Sequence, residues 1–189
     1  MYRIEPFAPY QMPLLLPLLQ SYGYKPYRAY VTHFGSAAIE RLFIAKIDEA
    51  LLSQRVRAIC ALAGEEALGI AVWGKLEQDS RYLGFSAARL DYLIAGGDYD
   101  WQCRIKQALL EELLSQCVAE GIHHLSARVD AADLSSIHSL EKQGFITVDG
   151  LLTYSCDLRE RRLPSPPRLD YEIRLARSSD IPELMALAR

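Results

Sequence analysis

The run Ile105-Lys106-Gln107-Ala108-Leu109-Leu110-Glu111-Glu112-Leu113-Leu114-Ser115-Gln116-Cys117-Val118-Ala119-Glu120-Gly121 decides how the rest of the chain is read. Ile105, Leu109, Leu110, Leu113, Leu114, Cys117 and Val118 recur at helical spacing, which predicts a helix from Ile105 to Glu120 with one buried stripe. Gly121 accepts a left-handed conformation and ends it. Downstream, His123 to Val129 alternates as a strand. Asp133 caps a helix that runs through Lys142 and ends at Gly144. Phe145–Val148 and Leu151–Leu158 read as a closing hairpin around Asp149-Gly150.

Upstream, Tyr2–Phe7 reads as a short strand and Gln11–Gln20 as a helix with Pro13 in its first turn. Tyr22, Tyr24, Tyr27 and Tyr30 mark a loop that either lines a pocket or partner surface or packs over a core edge. From Ala37 to Leu52, Ile39, Leu42, Phe43, Ile47 and Leu51 predict a second helix. Arg57–Ala63 and Leu68–Leu76 form a hairpin around Gly64-Glu65-Glu66, and Ala87–Ala95 is a further strand closed by Gly96-Gly97. The fold class is therefore α/β, a mixed and mostly antiparallel sheet with flanking helices.

The chain has 189 residues, of which 50% are hydrophobic and 24% charged, with a net charge of −3. These values suit a globular protein with one core, and give no broad basic face for nucleic acid. Cys60, Cys103, Cys117 and Cys156 form no CxxC pair, and Cys60 and Cys117 read as buried free thiols of a reducing compartment. His123 and His124 are strand neighbours facing opposite ways, which weighs against a shared metal. The leucine cluster Leu14–Leu19 is broken by Pro17 and too short to span a bilayer. A cytoplasmic protein is the expectation.

Residues 159–170 carry Pro164, Pro166, Pro167 and many charges, and read as a linker. After it the N-terminal pattern restarts. Tyr2-Arg3-Ile4-Glu5 matches Tyr171-Glu172-Ile173-Arg174, Met12-Pro13 matches Ile181-Pro182, Leu15-Leu16 matches Leu184-Met185 and Leu18 matches Leu187, all at one offset. The expected organisation is a domain at 1–158, a linker at 159–170, and at 171–189 the first strand and helix of a second copy. A lone strand and helix cannot bury their apolar faces, so the chain is expected to be a fragment or an interrupted reading frame.

Ala108–Leu114 followed by Glu120-Gly121-Ile122, then Asp133-Leu134-Ser135-Ser136-Ile137 and Leu140-Glu141-Lys142-Gln143-Gly144-Phe145, resemble in order the two later helices of the GNAT acetyltransferases. The resemblance implies a twisted sheet with a V-shaped opening that takes acetyl-CoA and passes its acetyl group to an amine. It implies a phosphate-binding loop at Trp101-Gln102-Cys103-Arg104-Ile105-Lys106, so Gln102, Cys103, Arg104, Ile105, Lys106 and Asp133 are its cofactor-binding candidates. Asp91 or Tyr92, on the preceding strand, would help to deprotonate the amine. The pattern also departs from the family. Arg104 and Lys106 stand where the loop has glycines, Leu140 where a Tyr acid is usual, and Asp133 where an Asn is usual.

Two functions follow: an N-acetyltransferase whose Arg104 and Lys106 grip phosphates by charge, or a degenerate domain that shapes a substrate pocket or dimer surface while a second domain carries transfer. Asp79-Ser80-Arg81-Tyr82-Leu83-Gly84-Phe85 with Ala88-Arg89-Leu90 resembles a stretch of tandem GNAT proteins similar to the TDP-fucosamine acetyltransferases, which implies a small-molecule amine such as an amino sugar on a nucleotide.

Overall fold

A computed structural model of the chain describes residues 1–26, 34–53, 55–152 and 174–187. It divides into two compact units, Met1–Thr153 and Tyr154–Arg189.

The first unit is built on a five-stranded sheet in the order β1-β2-β3-β4-β5. The strands are β1 Arg3–Pro6, β2 Val56–Ala63, β3 Glu66–Lys75, β4 Ala87–Ala95 and β5 His124–Ala127. Neighbours from β1 to β4 are antiparallel, and β4 and β5 are parallel. Helices α1 Met12–Ser21 and α2 Ser36–Leu52 precede β2, the short α3 Glu77–Leu83 joins β3 to β4, and α4 Tyr99–Ala119 and α5 Leu134–Lys142 flank β5. A parallel neighbour needs a crossover, and α4 supplies it.

Strand alternation sorts the core into two layers. Ala58, Cys60, Leu62, Ile70 and Val72 pack with Leu15, Leu19, Phe43 and Ile47 of α1 and α2. Ile59, Ala61, Ala71 and Trp73 pack with Ile105, Leu109, Leu110 and Leu113 of α4. On β4 the alternation changes phase. Val72 pairs with Tyr92 but Trp73 pairs with Leu90, so Asp91 is an extra residue, a β-bulge. Leu90 therefore shares the α4 layer with Leu93 and Ala95, while Ile94 faces α1 and α2.

Several expectations need correction. Helix α4 begins at Tyr99 rather than Ile105, because Asp98 caps it by accepting from Trp101 N at 2.8 Å. Val118 is 76% exposed, whereas Lys106 is buried on the α4 stripe. The stretch Asp79–Phe85 contains a helix that its motif does not announce, α3, which ends at Gly84, whose φ of 74° is left-handed. No strand forms at Phe145–Val148, where Ile146 and Val148 are exposed. The second arm of that hairpin, from Thr153, and Cys156 lie outside the described residues, as do Tyr27, Tyr30, the linker and Tyr171–Ile173.

In the second unit, a 3-10 turn at Ser178–Asp180 leads into α6, Ile181–Leu187. The offset that aligns Tyr2 with Tyr171 also aligns this turn with the 3-10 turn at Pro9–Gln11, and the start of α6 with the start of α1. The entry bonds correspond as well. Ala8 N donates to Gln11 Oε1 at 2.8 Å, and Arg177 N donates to Asp180 Oδ2 at 2.7 Å.

Candidate functional site

The bulge at Asp91 is where the sheet opens. The parallel ladder between β4 and β5 runs from Ala87↔His124 to Leu90↔Ala127 and stops there. Beyond Leu90, β4 continues alongside β3 only. Both catalytic candidates sit at this point. Asp91 is half-buried and accepts from Arg89 Nε at 2.6 Å. Tyr92 is half-buried, edge-on to Phe43 of α2 with ring centroids 6.1 Å apart.

A buried polar cluster lies beside the opening. Lys106 is 0% exposed and Asp133 1%. The ammonium Nζ lies 2.9 and 3.0 Å from the two Asp133 oxygens and 2.8 Å from each of Ser135 Oγ and Ser136 Oγ. Three protons thus meet one carboxylate and two hydroxyls, so the charged form satisfies every donor. Asp133 also accepts from the Tyr22 hydroxyl at 2.7 Å and, as the cap of α5, from Ser136 N at 3.1 Å. Ser136 Oγ lies 3.4 Å from the carbonyl of Leu93, on the stretch of β4 beyond the ladder. Tyr22 reaches the cluster from the end of α1 and stacks on Phe43, with centroids 6.0 Å apart. Lys106 Nζ lies 5.9 Å from the Tyr22 ring centre.

The electrostatics follow from this packing. Burial alone would raise the Asp133 carboxyl, but the Tyr22 hydroxyl and the Lys106 ammonium outweigh it and hold it below the ordinary carboxylate value. Burial lowers Lys106, with Asp133 opposing, and burial with the Asp133 charge raises Tyr22. A depressed carboxyl stabilises the fold above its unfolded pKa and loses that contribution as pH falls through the folded one. The urea midpoint is therefore expected to fall below about pH 4, and this acid slope should be shallower in Asp133→Asn.

The remaining candidates occupy the first two turns of α4. Gln102 Nε2 donates to the Gly97 carbonyl at 2.8 Å, and its Oε1 lies 2.8 Å from Ser135 Oγ. Cys103 is half-buried, with its thiol 4.0 Å from the Ser135 carbonyl. Arg104 is exposed, its guanidinium carbon 5.5 Å from the centre of the Trp101 ring. Ile105 is core. The structure therefore brings Gln102, Lys106 and Asp133 into one network and leaves Arg104 outside it.

No family model and no curated protein sequence matches the chain. Solved structures do. A ribosomal-protein-alanine N-acetyltransferase from Brucella melitensis superposes with a TM-score of 0.60 at 15% identity, over 82% of this chain and 100% of that one. An aminoglycoside acetyltransferase from an uncultured soil metagenomic sample, in complex with sisomicin, gives 0.55 at 17% identity, over 84% and 97%. An aminoglycoside N-acetyltransferase in complex with CoA gives 0.56 at 13%, over 82% and 95%. The chain has the GNAT acetyltransferase fold.

Within the GNAT fold, a pyrophosphate on α4 would need free backbone N–H groups and no competing anion at the helix start. Here Asp98 takes Trp101 N, and Asp100 adds a second carboxylate to the first turn. Lys106 spends its three protons inside the protein. Residues 98–106 do not fit a phosphate cradle. Lys106 and Tyr22 are the residues whose role the sequence reading missed. For Lys106 the signal was present, since Leu109, Leu110 and Leu113 lie three, four and seven positions after it.

Proposed function

We propose that this protein is an acetyl-CoA-dependent N-acetyltransferase acting on a primary amine of a small molecule. In this reading residues 1–153 form a non-transferring GNAT domain that shapes a substrate pocket or dimer surface, and transfer rests with the copy that residues 171–187 open. The observation that carries it is the Lys106–Asp133 cluster beside the β4–β5 opening, in which the one buried ammonium is spent on Asp133 and two serines and Ser136 Oγ lies 3.4 Å from the Leu93 carbonyl. The acetyltransferase half of the proposal is supported by the activities of the structural neighbours. The second copy is supported by the turn, helix start and entry bond that recur at one offset.

The narrower substrate, an amino sugar on a nucleotide, rests on Asp79–Leu90, which folds as α3, the Gly84 turn and the start of β4. We place the protein in the cytoplasm; among the described residues no helix is long and apolar enough to cross a membrane.

A second reading keeps transfer in the first domain, and the exposure of Arg104 favours it. Calorimetric titration of the chain with acetyl-CoA separates the two. No binding at micromolar concentration is expected. Micromolar binding that Arg104→Ala weakens tenfold would overturn the non-transferring assignment.

A further inference from the structure

Away from the β4–β5 opening, a second concavity forms where the β2–β3 turn and the β4–α4 turn meet α1. Its volume is about 630 Å³, within the range of small-molecule sites. Pro13, Pro17 and Leu18 of α1 and Trp101 of α4 give it apolar walls. Gly96 and Gly97 allow those walls to close on the backbone. A Cβ at Gly96 would stand 3.2 Å from Leu18 Cδ1, and one at Gly97 2.6 Å from Trp101 Cδ1.

The polar groups that line this groove are weighted towards acceptors. Glu65 and Glu66 are exposed at its rim and enter no ion pair among the described residues. Pro17 has no N–H, so α1 cannot give the Pro13 carbonyl its usual helical donor. The Trp101 ring already carries the Arg104 guanidinium, so it serves the groove as an apolar wall and the acceptors lie at the Glu65–Glu66 end.

We propose that this groove binds a small organic cation, with its apolar body along Pro13, Pro17 and Trp101 and its ammonium or guanidinium group at Glu65 and Glu66. Neither Lys106 nor Asp133 takes part, and of the stretch read as the phosphate loop only Trp101 lines the groove. A ligand of this size, held by apolar contact and exposed carboxylates, is expected to bind with a Kd on the order of 1 mM.

The chain has two tryptophans. Trp73 is 1% exposed in the core, so Trp101 reports on the groove. Titration of the full chain with phenethylammonium should shift the emission saturably, and Trp101→Phe should abolish the shift. Uncharged phenethyl alcohol should bind at least threefold more weakly. The double change Glu65→Gln with Glu66→Gln, on an exposed turn, should weaken the ammonium at least threefold without moving the urea midpoint. Absence of a saturable shift overturns the proposal. So does equal affinity for the alcohol, or unchanged affinity in the double variant, since either leaves only adventitious apolar contact.

Discussion

Lys106→Ala is expected to lower the melting temperature by about 10 °C, the consequence of a loss of about 3–5 kcal/mol. The substitution removes the cation that pairs with Asp133, which is 1% exposed, and so leaves a buried carboxylate with only hydroxyl and amide donors. It also empties the space of a long side chain that is 0% exposed. Lys106→Met combined with Asp133→Asn should recover most of the loss. Met refills the volume, and Asn keeps an acceptor for Ser136 N and the cap of α5 while both charges disappear. Urea unfolding of the parent, Lys106→Met, Asp133→Asn and the double variant measures the coupling. A loss below 1 kcal/mol in Lys106→Ala would mean that water reaches the ammonium. In that case Lys106 would again be available to an anionic ligand.

Gly69→Ala should cost about 3 kcal/mol, the upper end of what overpacking exacts. Its hydrogen faces α4 at close range. A methyl group there would stand 2.6 Å from Ile105 Cγ2, 2.8 Å from the Ile94 carbonyl oxygen and 3.1 Å from Leu109 Cδ1. Side chains can rotate away, but the carbonyl belongs to the neighbouring strand and moves only with the ladder. Gly69 pairs with Ala95 in that ladder, so its small size lets α4 sit close to the sheet. A urea midpoint like that of the parent would show that α4 can lift without loss. Ile105→Ala with Gly69→Ala removes the Cγ2 contact and should cost less than the two single changes added together.

Strands and helix stripes were legible because they depend on short-range period. The strands β2, β3 and β4 and the buried residues Ile39, Phe43, Ile47 and Leu51 of α2 matched their expectations, while Leu42, read into the same stripe, is exposed. The candidate site was less legible, for two physical reasons. Lys106 was read by its charge rather than by its spacing, although its position fell on the α4 stripe. The Tyr22–Asp133 bond joins residues 111 apart, and no local pattern encodes such a meeting. The start of α4 lay in between. Gly96-Gly97-Asp98 is a readable turn and cap, but the resemblance drew the loop across Trp101–Lys106 and hid it. Val118 shows the reverse error, an apolar residue at the stripe's margin that faces water.

The extra residue at Asp91 has a consequence for sequence change in β4. Every side chain after it takes its direction from its ladder partner on β3 rather than from the identity of Asp91. An exchange of Asp91 for another residue leaves Tyr92 and Ile94 directed towards α1 and α2, and Leu93 and Ala95 towards α4. Loss of the Asp91 codon would restore an unbroken ladder and leave all four as they are, because Trp73 already pairs with Leu90 and Val72 with Tyr92. At this point β4 holds one residue in reserve, open to replacement or to loss.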